Sequence, residues 1–321
     1  MDLPASLNAV AAEQMGVVSR RQLTEHGVSI GQVRWQLGRT WRQLLPGVIL
    51  LDTALPTASQ RHIAAQIYGG PECWLAGPTA AALFGFLPED ADRRVHVLVP
   101  ATSKPRSMYG VTIRRTRLMH ERLVERGPLR LSCRPRAVVD AAAVLPEPSA
   151  RALVIEVVRR RLVRLDDLTH WVEVRQTHGR VRLRRALQEA AAGAWSVPEA
   201  DLAALVRSSR VLPTALLNPG LEDESGVRLT TPDVWFDDVG MAVMVHSRQF
   251  HAGVLQWDAT VTDDSELSSY RIVDVGVTPE QLAKDPPAVL RRIEDHYATA
   301  RRSGFRPPVV ATPRPESRMI A

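Results

Sequence analysis

One stretch of the chain, PDVWFDDVGMAVMVHSRQFH (residues 232–251), combines residue types and spacing that suit metal-dependent phosphodiester hydrolysis. Asp233 opens an apolar run, and about one strand later a polar group ends in His251. Hydrolysis of this kind needs clustered oxygen ligands for Mg²⁺. Met244 stands where the second carboxylate is expected, and a thioether does not suit Mg²⁺. The stretch therefore predicts the outline of a nuclease without its metal chemistry.

A nitrogen–oxygen metal site is the alternative interpretation of the same region. The two histidines have His-x₄-His spacing, which permits Zn²⁺ or Mn²⁺ but does not specify either. The set of ligands would be Asp233, His246, His251 and Asp258.

The composition limits the classes of protein that this chain can belong to. Its 321 residues predict two or three domains, and a hydrophobic content of 45% is enough for ordinary packed cores. No run of apolar residues is long enough to span a membrane, and the first residues lack the pattern of a signal peptide. Cys73 and Cys133 lie sixty positions apart, which predicts neither a disulfide framework nor a metal motif. We expect a cytoplasmic protein.

The charge is unevenly distributed along the chain. Residues 101–194 carry 20 basic and 9 acidic side chains, whereas residues 195–321 carry 13 and 18. This asymmetry predicts a polyanion partner for the centre of the chain, although arginines on solvated helix faces would give the same counts. The densest basic group, on a strand of alternating polarity, is Arg114, Arg115 and Arg117, which we expect to contact phosphates.

Residues 7–51 have the sequence pattern of a winged helix-turn-helix. Three short helices are predicted, with Ser6, Ser19 and Ser29 as their N-caps, followed by a β-hairpin around Pro46-Gly47. In the third helix, Ile30, Val33 and Leu37 are expected to face inward. Trp35 either stacks on a sugar or packs under the wing. The predicted DNA-binding residues of the helix and wing are Ser29, Gln32, Arg34, Gln36, Arg39, Arg42 and Gln43.

The first 190 or so residues resemble a known family. Residues 7–51, with LAGPTAAALFGF, VHVLVP, GVTIRRTRL and RAVVDAAA, resemble the AbiEi-type antitoxin regulators of actinobacteria, the DNA-binding partners in type IV toxin–antitoxin systems. The resemblance consists of many weak matches. It implies a winged helix followed by an α/β domain, transcriptional repression, and a nucleotidyltransferase-type toxin as a possible partner.

Residues 195–303 are similar to very-short-patch-repair endonucleases of the PD-(D/E)xK fold. Two acids of that family are matched by Glu199 and Asp233, and Asp258 is a further match. At the positions of the family's Glu-x-Asp-Gly and following His stand Met244, His246, Ser247 and His251. An acidic stretch, Asp263, Asp264 and Glu266, replaces an Arg-rich helix. The resemblance implies a degenerate nuclease site made of Glu199, Asp233, Met244, His246 and His251.

The predicted fold class is α+β, in four parts: a winged helix-turn-helix (1–55), a central basic α/β domain (56–194), a restriction-endonuclease-like α/β domain (195–303) and a disordered tail (304–321). We expect a sequence-specific repressor of double-stranded DNA, antitoxin-like and nucleoid-associated, with neither catalysis nor a cofactor. Two alternatives stay open: a metal-dependent endonuclease targeted by the winged helix, and an antitoxin that acts by protein contact. The oligomeric state is not predicted.

Overall fold

A computed structural model describes residues 3–119, 123–174, 180–246, 266–313 and 319–320. The fold is mixed α+β with several sheets. The chain divides into two compact units: residues 1–153 with 166–180, and residues 154–165 with 181–321. Within the described ranges, no helix is long and apolar enough to cross a membrane.

The first unit begins with helices and strands in the predicted order. The three strands form an antiparallel sheet in the order β1-β3-β2. The elements are α1 (Ala5–Glu13), β1 (Val17–Ser19), α2 (Arg20–Glu25), α3 (Ile30–Gln36), β2 (Arg42–Leu45) and β3 (Val48–Leu50).

Two of the three predicted N-caps are confirmed. The Ser19 and Ser29 side chains each accept a hydrogen bond from the backbone of the third helical residue, and the glutamine there returns the bond. The prediction for Ser6 is wrong, because α1 begins at Ala5 without a side-chain cap. The Ser6 hydroxyl instead lies 2.8 Å from Nδ1 of His26.

The small sheet has an apolar core on both of its faces. Leu23, Val33 and Ile49 belong to the core beneath the three helices. Val48 belongs to a second core that continues into the following elements of the first unit. Residues 1–55 therefore share a core with the residues that follow them.

The rest of the first unit is built on a five-stranded sheet in the order β6-β5-β4-β8-β7, in which β5 and β6 are parallel. Helix α4 begins after Thr57, whose hydroxyl caps it by accepting a hydrogen bond from the Gln60 amide. The elements are α4 (Ala58–Gly69), β4 (Trp74–Leu75), α5 (Gly77–Leu83), β5 (Val95–Pro100), β6 (Val111–Thr116), β7 (Val124–Arg126), β8 (Leu129–Leu131), α6 (Arg134–Ala142), α7 (Glu147–Arg159), whose last residues belong to the second unit, and α8 (Leu165–Val174).

The second unit has a five-stranded sheet in the order β14-β13-β12-β9-β16 and a three-stranded sheet in the order β11-β10-β15. Strands β13 and β14 are parallel, and the other pairs are antiparallel. The elements are α9 (Arg180–Ala191), α10 (Val197–Arg207), β9 (Ala215–Leu217), β10 (Gly220–Asp223), β11 (Arg228–Leu229), β12 (Val234–Phe236), β13 (Met241–Val245), β14 (Val273–Val277), α11 (Pro279–Lys284), α12 (Pro286–Ser303), β15 (Val309–Thr312) and β16 (Met319–Ile320).

The prediction of a wholly disordered tail after residue 303 is wrong. Strand β15 pairs with β10, and the buried Val309 joins an apolar core. Gly240, at φ +61°, leaves room for the ring of Pro307, with which a Cβ would collide. Residues 314–318 and 321 lie outside the described residues.

Candidate functional site

Helix α3 exposes a different set of side chains from the one that was predicted. Gln36 was expected to face outward, but it is only 5% exposed, whereas Ile30, expected inside, is 56% exposed. The Gln36 side-chain oxygen accepts a hydrogen bond from the Thr40 hydroxyl, and its backbone carbonyl accepts from the amide of Trp41. Gln36 therefore holds the turn that follows α3, and the prediction that its side chain faces outward is wrong.

Ser29 and Gln32 hold the start of α3. The Ser29 hydroxyl accepts a hydrogen bond from the Gln32 amide at 3.2 Å, and Oε1 of Gln32 accepts one from the Ser29 amide at 2.8 Å. Both side chains are on the surface, but each is used by the capping box. A base contact by the Gln32 oxygen would therefore compete with the cap.

The exposed surface of α3 and the turn after it, called here the α3 face, consists of Ile30, Arg34, Trp35 and Arg39. Trp35 is 59% exposed. The guanidinium of Arg39 lies 5.0 Å from the centre of the Trp35 ring and donates to the Trp35 carbonyl at 2.7 Å. Trp35 therefore orients Arg39 on the surface.

The wing residues that we predicted as phosphate contacts are both exposed. Arg42 donates from Nε to the Thr53 carbonyl at 3.0 Å, so its guanidinium fastens β2 to the segment after β3. Gln43 lies next to it on β2. No acidic residue occurs from Val28 to Leu51, so this surface carries no negative side chain of its own.

The three arginines of strand β6 and its end have different environments. Arg114 forms an ion pair with Asp140, which is only 2% exposed. Arg115 donates to the carbonyls of Ser103 and Pro105 at 2.8 and 2.7 Å, and so holds the loop after β5. Arg117 is exposed. Arg114 and Arg115 thus support the fold, a role that the prediction of three phosphate contacts did not include.

A group of partly buried acids, called here the carboxylate cluster, consists of Glu199, Asp233 and Asp274. Glu199 lies in the first turn of α10, Asp233 directly precedes β12, and Asp274 lies in β14. Burial and the charges of Glu199 and Asp274 together raise the pKa of Asp233 to about 8, against the hydrogen bond from the Val245 amide, which lowers it. Burial also raises the pKa of Glu199. The sequence analysis identified Glu199 and Asp233 but missed Asp274. The only indication of Asp274 in the sequence is its position as an acid within the apolar run RIVDVGV.

Both oxygens of Glu199 accept hydrogen bonds from the protein. Oε1 accepts from the Ser196 hydroxyl at 2.8 Å. Oε2 accepts from the Trp195 amide at 2.8 Å and from Nδ2 of Asn218 at 3.2 Å. Glu199 therefore joins the start of α10 to the end of β9.

Asp233 joins three strands at the same edge of the sheet. Its Oδ2 accepts a hydrogen bond from the Val245 amide, at the end of β13, at 2.6 Å. Its backbone carbonyl accepts from the Asn218 amide, after β9, at 3.1 Å. Each contact stabilises the sheet, but neither brings a positive charge to this partly buried carboxyl group.

The remaining positions of the predicted degenerate site do not add ligands here. Met244 is half-buried against an apolar core that includes Trp235. The ring of His246 covers Gly276, where an added Cβ would lie 2.8 Å from it. His251, Ser247, Asp258, Asp263 and Asp264 lie outside the described residues. Glu266 is described, and its carboxylate accepts from the Thr230 amide and hydroxyl.

These residues do not fit a Mg²⁺ site. The Glu199 oxygens are engaged by three donors, and Met244 contributes to an apolar core instead of a ligand sphere. Among the residues that the structure describes, no group of three or more His, Cys, Asp or Glu side chains is placed to hold a metal ion. Glu199 and Asp274 raise the pKa of Asp233, but the three carboxyl groups do not form a group placed to hold a metal ion.

Comparison with known proteins adds no family to this account, since no family model and no characterised protein matches the chain.

Proposed function

We propose that this protein is a duplex-DNA-binding transcriptional regulator whose residues 5–50 form a winged helix-turn-helix domain. The observation that carries the proposal is the order of helix, strand, two helices and a hairpin, with the strands arranged β1-β3-β2. In helix-turn-helix proteins the second helix of the pair enters the major groove with its side chains against the base edges. Here that helix is α3.

The side chains of the α3 face have the chemistry that such a helix needs. Arg34 and Arg39 can each bind guanine bidentately, and Ile30 can contact a thymine methyl group. The stacking of Arg39 on Trp35 limits the conformations of its guanidinium, which lowers the entropy cost of binding. Arg42, Gln43 and Ser29 are exposed, and they are the candidate phosphate contacts in this proposal.

Selection of duplexes from a random pool by the full chain, followed by fluorescence anisotropy on the selected site, tests the proposal. Arg39→Ala and Arg34→Ala should each weaken binding by about tenfold or more, since a bidentate base contact contributes about 1–3 kcal/mol. Arg228→Ala is the matched control, because Arg228 is an exposed arginine of the second unit, paired with Glu222 at 3.5 Å. Failure of the full chain to retain any duplex at low salt would contradict the proposal.

In the same proposal, the second unit has a PD-(D/E)xK-like fold that no longer cuts DNA. Support comes from the parallel pair β13–β14 beside the antiparallel β12, with Asp233 at the edge where such folds hold their metal. Support for the loss of hydrolysis comes from Met244 in an apolar core and from the full set of protein donors on Glu199. Without converging ligands, a Mg²⁺ ion stays hydrated and does not align a water molecule with a phosphate.

A metal-dependent endonuclease is the second candidate function, and one observation favours it. Asp274 adds a third acid to Glu199 and Asp233, so the described part of the site is richer in carboxylates than the sequence indicated. Metal-dependent nicking that is lost in Asp233→Ala would establish this candidate in place of the first.

A further inference from the structure

The loop between β5 and β6 (residues 101–110), called here the basic loop, lies in a long part of the chain without acids. Residues 93–120 contain seven lysines and arginines and no aspartate or glutamate. Lys104 and Arg106 are the cations of the loop itself, and both are exposed. Among the described residues, neither has an acidic partner within ion-pair distance. We propose that the basic loop binds the sugar–phosphate backbone of duplex DNA, a contact that rests on the proposed function and adds a second surface to the α3 face.

The first half of the basic loop is fixed by a side chain of β6. Arg115 donates to the backbone carbonyls of Ser103 and Pro105, on either side of Lys104, at 2.8 and 2.7 Å. It also donates to the Lys104 carbonyl at 3.3 Å. Arg115 therefore holds the backbone of the loop, whereas the ammonium group of Lys104 is left for a partner.

The second half of the loop is fixed in the same way. The Tyr68 hydroxyl, on α4, donates to the Arg106 carbonyl at 3.1 Å. The Ser107 hydroxyl accepts a hydrogen bond from the Ile113 amide of β6 at 2.8 Å. A loop whose backbone is already ordered loses less entropy when its exposed side chains bind a partner.

Arg117 extends the positive surface of the basic loop. Pro100, where the loop begins, is paired with Thr116 at the end of β6, and the exposed Arg117 follows directly. The start of the loop and Arg117 therefore lie at the same end of the five-stranded sheet.

The basic loop also presents an aromatic side chain. Tyr109 is 99% exposed. A tyrosine offers an apolar ring to a sugar and a hydroxyl to a phosphate, and it is one of the side chains that contact the backbone of DNA.

These features favour an extended polyanion as the partner. Small ligands are bound in concave sites, whereas these cations and the tyrosine are all exposed. Duplex DNA is favoured over an acidic protein, because a surface without acids suits the unbroken negative charge of a phosphate backbone, and the α3 face of the same unit has the same proposed ligand.

The test compares two duplexes of equal length, the site selected by the full chain and an unrelated sequence, in anisotropy titrations over a range of salt. The double variant Lys104→Gln with Arg106→Gln should lower the slope of log affinity against log salt concentration by about 1.8 on both duplexes, at roughly 0.9 for each phosphate contact. Tyr109→Ala should weaken binding by about threefold without a change in slope, the factor that one ordinary hydrogen bond contributes. The matched control, Lys284→Gln with Arg228→Gln, removes an exposed lysine and an exposed arginine of the second unit and should leave the slope unchanged.

The outcomes separate this contact from the reading of bases by α3. A slope that falls no further in the loop variant than in the control overturns the basic loop as a DNA contact and leaves the α3 face untouched. Loss of the preference for the selected site in the loop variant overturns the assignment to phosphates, because backbone contacts carry no sequence information. If Arg34→Ala and Arg39→Ala keep that preference, the proposed role of α3 fails, and the slope on the unrelated duplex still decides on the loop. Retention of neither duplex by the full chain at low salt overturns both proposals.

Discussion

Asp140 in the first unit is buried and Asp233 in the second is partly buried, and the surroundings of the two carboxyl groups are opposite in charge. Asp140 pairs with Arg114, and its Oδ2 also lies 3.6 Å from Nε of Arg136. Asp233 has two acids, Glu199 and Asp274, as its charged neighbours instead. Asp140 therefore has positively charged partners, whereas Asp233 has negatively charged neighbours that repel its carboxylate form.

The positive partners of Asp140 are themselves built into the fold. Arg136 donates to the Leu118 carbonyl and to the Thr116 hydroxyl, and its guanidinium lies 4.9 Å from the centre of the Trp171 ring. A buried ion pair contributes little net stability compared with apolar residues, but the loss of one partner is costly. This part of the first unit therefore depends on all its charges being present.

In the carboxylate cluster, Arg159 lowers the pKa of Glu199, whereas the charged neighbours that shift the pKa of Asp233 are acids. Because burial and repulsion raise its pKa to about 8, Asp233 is mostly protonated at neutral pH. An arrangement that is unfavourable for the fold is more typical of a functional or formerly functional site than of packing alone. The comparison supports the view that the second unit retains the acids of a nuclease and not its ligand geometry.

The largest expected effect is the loss of the balanced acid. Asp140→Asn leaves Arg114 and Arg136 without their counter-charge, so the free energy of unfolding should fall by about 3–5 kcal/mol. Urea denaturation of both proteins measures it, with Asp90→Asn, an exposed aspartate of the same unit, as the control. A loss no larger than that of the control would mean that Asp140 is not the centre of an ion cluster.

Asp233→Asn should raise the free energy of unfolding, and the size of the increase should depend on pH. The pKa of Asp233 is raised to about 8 in the folded chain from 3.8, so the folded state binds the extra proton and stability falls as the pH rises between these values. Asparagine keeps an acceptor for the Val245 amide but cannot ionise. We expect the variant to be more stable than the parent by about 1–3 kcal/mol at pH 8.5 and similar to it near pH 4.

Denaturation curves at the two pH values, with the exposed Asp295→Asn as the control, check this prediction. An equal difference between variant and parent at both pH values would show that Asp233 titrates normally.

Arg114 and Arg117 lie three positions apart, but Arg114 pairs with a buried acid whereas Arg117 is exposed on the surface. Arg114→Gln should destabilise the first unit by about 1–3 kcal/mol, because it removes one partner of a buried acid, whereas Arg117→Gln should change stability by less than about 0.5 kcal/mol. Thermal unfolding of the two variants side by side measures the contrast. Equal losses of stability in the two variants would contradict the structural role assigned to the Arg114–Asp140 ion pair.

Arg117 should matter for DNA instead, and this is the smallest expected effect. If it contacts one phosphate, Arg117→Gln should lower the slope of log affinity against log salt concentration by about 0.9. Anisotropy titrations over a range of salt give the slope. An unchanged slope leaves Arg117 as ordinary solvated surface.

Local patterns were predicted well from the sequence. The caps at Ser19 and Ser29 and the hairpin at Pro46-Gly47 follow from contacts between residues close in the chain. Turn and cap chemistry is local, so one sequence is enough to find it.

The errors involve contacts between distant residues or a change in helix geometry. The ion pair of Arg114 with Asp140 and the pairing of β15 with β10 join segments that no periodicity connects. The orientation of α3 was wrong because the helix ends at Gln36, whose side chain turns inward to hold the following loop. Asp274 was missed because an acid in a buried strand is visible as part of a cluster only when the neighbouring strands are placed.

The central claim is that the chain binds duplex DNA and does not cut it. Its most direct test is incubation of the full chain with supercoiled plasmid at low salt, in separate reactions with Mg²⁺, Mn²⁺ and Zn²⁺, followed by gel analysis before and after removal of the protein. The account predicts a retarded complex that releases intact supercoiled plasmid under all three conditions, for the parent and for Asp233→Ala alike. Metal-dependent nicking that disappears in Asp233→Ala, or no retarded complex at all, would contradict it.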